Sequence, residues 1–161
     1  MDKGRFAWGK IALIAVAVVL IGGAGIGVGV RLAHPGQGAD ASLRDQLGFT
    51  PLVKQLPAGY TIDPKSLDRQ DSALAYVAKD GNGGQIVISE QPKPTDAKIR
   101  TFLDQNVQKS QTVSGTRYPT TMGDAPMGGK LLSVVVGNTW LMLTTPDVNA
   151  GDDLIYIAQH L

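Results

Sequence analysis

Nucleophilic and acid–base chemistry needs a base within hydrogen-bond reach of the group it serves, and this chain offers few bases. Its two histidines are His34 and His160. His34 falls in a stretch rich in Pro and Gly, and His160 stands next to Leu161 at the end of an expected helix. The charged form of His160 suits the negative end of that helix, so a solvated terminus is its expected role. Glu90 is the single glutamate. A glycosidase-type carboxylate pair would need Asp beside it or two Asp, and Glu90 is expected as an exposed carboxylate near a strand end. The chain has no cysteine, which excludes thiolate metal sites, iron–sulfur clusters, thiol catalysis, disulfide scaffolds and a lipid anchor on an N-terminal cysteine.

Two segments mimic calcium loops. Asp80-x-Asn82-x-Gly84 places Gln91, not the bidentate Glu, at the closing position, and Asp147-x-Asn149-x-Gly151-Asp152-Asp153 places Ala158 there. A hairpin turn explains the first. Helix capping by Asn149 or Asp147 explains the second. No catalytic, cofactor-binding or metal residue is assigned, and no cofactor is expected. Trp140 and Tyr76, with Tyr60, Tyr118 and Phe102 as further aromatics, are the candidate ligand groove, although aromatics on strands generally fill cores. Lys93, Lys98 and Arg100 form a mild basic cluster, read as a solvated helix face or as a contact for an anionic wall polymer.

The elements that would position these groups follow from hydropathy. Ile11 to Val30 contains no charge, and this run lowers the charged fraction to 18% and raises Gly to 20. Twenty helical residues span about 30 Å, the thickness of a hydrocarbon core. A transmembrane helix over 11–31 is expected. Lys3, Arg5 and Lys10 precede it and only Arg31 follows closely, so the N-terminus is expected in the cytoplasm. A cleaved signal peptide is the rival, with Ala39-Asp40-Ala41 as the site, but the apolar run exceeds the 7–15 residues of a signal core. Gly23, Gly25, Gly27 and Gly29 sit at GxxxG spacing and form a candidate helix-docking face, for a homodimer or a membrane-protein partner.

Residues 1–10 read as a cytoplasmic stub, 32–49 as a flexible tether and 50–161 as an extracytoplasmic α+β domain. From Asp40 onward there are eleven Lys/Arg against thirteen Asp/Glu, which gives no reason to expect nucleic acid as a partner. Short strands are expected at Tyr60–Asp63, Ala73–Ala78, from Gln85 until Pro92, one or two within Thr112–Met122, then Lys130–Val136 and Thr139–Thr145. Helices are expected over Thr95–Gln108 and Ala150–Leu161. The order β-β-β-α-β-β-β-α implies an antiparallel sheet with the two helices packed on one face.

This layout resembles small extracytoplasmic α+β domains displayed behind a single membrane span in bacteria, some beside anti-sigma-factor or sporulation proteins. The likeness is carried by Leu56-Pro57-Ala58-Gly59-Tyr60, Gly84-Gln85-Ile86-Val87-Ile88-Ser89-Glu90, Gly137-Asn138-Thr139-Trp140 and Asp153-Leu154-Ile155-Tyr156-Ile157-Ala158. It implies a sheet-based domain with a sensing or binding role and transfers no catalytic residue. The stub carries no anti-sigma zinc motif and is expected to be too short to hold a sigma factor. The expected function is a single-pass, membrane-anchored, non-enzymatic cell-surface protein whose outer domain binds a protein or ligand, as a sensor or an accessory subunit of an envelope complex. The alternative is a cell-envelope enzyme acting on peptidoglycan or another wall polymer.

Overall fold

The Asp80–Gly84 turn and the Gly137-Asn138 turn each fold an apolar run back on the next, and a sheet grows outward from those hairpins. The computed structural model describes residues 52–53, 55–70 and 72–161. The stub, the 11–31 span, the 32–49 tether and the docking face of Gly23, Gly25, Gly27 and Gly29 lie outside the described residues. Among the described residues no helix is long and apolar enough to cross a membrane.

The described strands are β1 (Thr61–Gln70), β2 (Ala73–Lys79), β3 (Gln85–Pro92), β4 (Gln108–Thr112), β5 (Thr120–Asp124), β6 (Lys130–Val136) and β7 (Thr139–Thr145). They form one sheet in the order β1-β2-β3-β7-β6-β5-β4. Every neighbouring pair is antiparallel. The helices are α1 (Asp96–Asn106), between β3 and β4, and α2 (Gly151–Gln159), after β7. The α+β class and the antiparallel sheet are those expected from the sequence, and β6 is interior, as its continuous apolar run implies.

Three expectations need correction. The segment after α1 forms two strands, within the one or two expected there, but they sit at the two ends of Thr112–Met122 and extend beyond it, so the order is β-β-β-α-β-β-β-β-α. Strand β4 begins earlier than its side chains suggest, because all five of its residues are exposed and leave no apolar alternation to read. Strand β1 runs well past Asp63. Pro64 sits inside it, which an edge strand tolerates. A register shift falls between Asp63 and Asp68, and Ser66 fills it: its Oγ accepts from the Val77 amide at 2.8 Å and donates to the Asp63 carbonyl at 2.6 Å.

The third correction concerns the helices, which cover opposite faces. Side chains alternate along a strand. Ile86, Ile88 and Glu90 of β3 therefore share a face with Leu141 and Leu143 of β7 and with Leu132 and Val134 of β6. Helix α2 seals this face with Leu154, Ile157 and Ala158, all buried. Val87, Ser89, Trp140 and Met142 point the other way. There Phe102 of α1 meets Trp140 edge-on, with ring centroids 5.2 Å apart. No residue of α1 is fully buried. Its apolar stripe of Ile99, Phe102 and Leu103 is only half-covered, because one eleven-residue helix cannot roof this face alone.

Candidate functional site

Tyr76 and Trp140 do not meet in one groove. Tyr76 belongs to the α2 face and Trp140 to the α1 face, each 5% exposed. The Trp140 indole donates to Ser133 Oγ at 2.8 Å, and the Tyr76 hydroxyl donates to Glu90 Oε1 at 2.8 Å. Both aromatics are core residues with satisfied polar tips.

The remaining candidates disperse. His160 is exposed at the end of α2, its ring stacked on Tyr156 at 4.1 Å and its Nδ1 2.7 Å from the Tyr156 carbonyl oxygen. His34 lies outside the described residues. Asp80 Oδ1 accepts from the amides of Asn82 and Gly84, which fixes the hairpin turn. Asp147 Oδ1 accepts from the Asn149 amide, 2.8 Å away. The α2 N-cap is Ala150 and has no side-chain cap, so neither Asp147 nor Asn149 caps that helix. Of the basic cluster, Lys93 pairs with Asp96 at 2.7 Å.

Two neighbouring residues of β3 carry the chemistry the sequence hid. Glu90 is fully buried, not at an exposed strand end. Its Oε2 accepts from the Leu52 amide at 2.6 Å, and its Oε1 accepts from the Val53 amide at 3.3 Å and from Tyr76. Burial pushes its pKa above the ordinary carboxylate value, and the three hydrogen bonds oppose that shift. Burial and the neighbouring Glu90 likewise keep the Tyr76 hydroxyl protonated. Glu90 thus clasps the strap that leads into β1. The strap is tied again where Gln55 Nε2 donates to the Tyr156 hydroxyl at 2.6 Å and Tyr60 donates to Asp153 at 3.1 Å. Burial and Asp153 push the Tyr60 pKa to about 12. Leu52, Val53 and Leu56 pack on the core beneath.

Ser89 points to the other face. It is 3% exposed, and its Oγ has no hydrogen-bond partner. It lines a cavity of about 160 Å³ bounded by α1, the sheet and the loop before β6. Val87, Leu131 and Met142 form the floor with Ser89, and Phe102 of α1 is one wall. The opposite wall is the turn Ala125–Gly128, closed by the Gly128 amide donating to the Ala125 carbonyl at 3.0 Å. Gly129 anchors that turn at φ +86°, where a Cβ would run into the Thr145 carbonyl oxygen. Met127 stands 56% exposed beside the opening. The space lies over Ser89, whose side chain is small, where α1 passes without filling it.

The period-two pattern held part of this. Ile86, Ile88 and Glu90 share parity, which places the carboxylate on an apolar face. Nothing local marks Ser89, whose significance depends on where α1 lies. Comparison of the chain with protein-family models, with curated proteins and with solved structures finds no match.

Proposed function

We propose that this chain is a single-pass, membrane-anchored cell-surface protein. Its span is 11–31, its N-terminus is cytoplasmic, and its C-terminal domain stands outside the membrane and binds a ligand or a protein. The observation that carries the binding role is the apolar cavity with the unpartnered, buried Ser89 hydroxyl. A buried polar group without a partner costs free energy, and a bound molecule that supplies the partner recovers it. The uncharged run with its cationic N-terminal flank supports the anchor. An anchor confines the domain to a thin shell at the membrane and raises its effective concentration for neighbours there. The resemblance to extracytoplasmic domains behind single spans agrees with this reading. Gly23, Gly25, Gly27 and Gly29 would dock the span on a second copy or on a partner helix.

The rival is an envelope enzyme acting on a wall polymer. Glu90, with its raised pKa, is the residue suited to a general acid. Its buried carboxylate, held by Leu52, Val53 and Tyr76, argues against that role.

Membrane fractionation, protease accessibility and in-cell crosslinking of the tagged full chain test the proposal. The chain is expected to resist alkaline extraction, its outer domain to be cleaved in intact cells, and crosslinking to recover a specific membrane partner or a homodimer. Replacing Gly25 and Gly27 by Leu should then abolish that recovery. A chain released by alkali, a domain protected in intact cells, or a product beginning at Ser42 overturns the anchor.

A further inference from the structure

The geometry points to the cavity beneath α1 as a site for one chemical class: a neutral, ring-sized molecule with a single hydrogen-bonding group, of the phenol or aromatic-alcohol type. This rests on the reading that the outer domain binds a ligand or partner, and it names the ligand.

Size comes first. The cavity measures about 160 Å³, close to the roughly 150 Å³ of an engineered apolar cavity that holds benzene. Wall chemistry comes second. Phe102, Met142 and Met127 present one ring and two thioethers, and sulfur makes favourable contacts with aromatic rings. Charge comes third. None of the lining residues is ionisable, so a charged ligand would lose its hydration and gain no counter-ion.

The polar group of the ligand is set by Ser89. Its hydroxyl can donate one hydrogen bond and accept others, and here it does neither. Thr145, also on the lining, already accepts from the Asp147 amide at 3.3 Å. Asn106 Nδ2 is engaged with the Phe102 carbonyl at 2.9 Å. Asn106 and Thr144 are only half-buried. A water needs two to four polar partners, and the apolar floor around Ser89 supplies poor company for one. A phenolic hydroxyl brings its own apolar body to fill the remaining space.

The test uses the full chain in lipid nanodiscs with isotope-labelled methionine methyls. Met127 and Met142 report on the cavity, while Met122 lies in the core of the α2 face and serves as an internal control. The probes are phenol and benzene at matched free concentration. Phenol is expected to shift Met127 and Met142 and to leave Met122 in place. In Ser89→Ala the preference for phenol over benzene should fall about tenfold, the worth of one well-made hydrogen bond. Ser89→Thr keeps the hydroxyl and should keep the preference. An unchanged preference in Ser89→Ala overturns the role of Ser89. Silence of Met127 and Met142 towards both probes overturns the ligand class. If crosslinking still recovers a specific partner in that case, the membrane-anchored binding reading survives without the cavity. If it recovers none, both fall.

Discussion

Ser89 and Glu90 are adjacent on β3, and both are almost wholly removed from solvent. The carboxylate meets three donors and the hydroxyl meets none. They differ because the two faces of the sheet are closed by different means. On the α2 face, a helix with four buried residues and a strap with apolar side chains fill the space together, and the strap's amides reach Glu90. On the α1 face a single half-covered helix and one glycine turn do the work, and a void remains. A well-filled face gives stability, and an incompletely filled one leaves room for something else.

Removing Glu90 should break the contrast most severely. Glu90→Ala leaves the Tyr76 hydroxyl and the Leu52 and Val53 amides without their acceptor, at an expected cost of about 3 kcal/mol in denaturant unfolding of the full chain. Phe102→Ala attacks the other face. It deletes the edge-on contact with Trp140 and a cavity wall, and about 2 kcal/mol should be lost. A loss equal to that of Glu90→Ala would mean the two faces contribute alike. Ser89→Ala should move stability the opposite way, raising it by about 1 kcal/mol, because a buried hydroxyl without a partner is removed at little change in shape. A destabilised Ser89→Ala would show that the hydroxyl is satisfied after all.

The smallest effect is a pH dependence. Because burial outweighs its three hydrogen bonds, folded Glu90 holds its proton more tightly than the unfolded chain does. Its contribution is then full below the ordinary value of 4.5 and is lost as pH rises through that value towards the raised one. The melting temperature of the native chain should therefore fall relative to Glu90→Gln as pH rises across this window. Asp63, Asp96 and Asp124 have lowered pKa values, through hydrogen bonds to Lys79, Lys93 and Lys130 respectively, and act in the opposite sense. They are common to both proteins and drop out of the difference. A flat difference would mean the strap's amides compensate the burial of Glu90 fully.

The strands were legible wherever apolar residues alternate or run together, as in Ile86–Ser89 and Leu131–Val136, and wherever Gly and Asn punctuate them. Strand β4 was not, because Gln108 to Thr112 form an exposed edge held by backbone pairing. The sides taken by the helices were not legible either. Ile99, Phe102 and Leu103 announce an apolar stripe but not which face of the sheet it meets. For the same reason Trp140 and Tyr76 looked like partners, although they stand on opposite sides of one sheet. Glu90 lay within reach of the alternation rule. Ser89 did not, since an empty space is a property of the packed whole.

The strap has a mechanical consequence. It precedes β1, an edge strand that among the described residues pairs only with β2, and an edge strand is easily peeled from its end. A load on the chain before Leu52 does not reach that seam first. It passes through the Leu52 and Val53 amides into Glu90, and so into β3, which is laced to β2 on one side and β7 on the other. Traction from the N-terminal side is thus delivered to the interior of the sheet, and β1 is exposed to unzipping only after the carboxylate lets go.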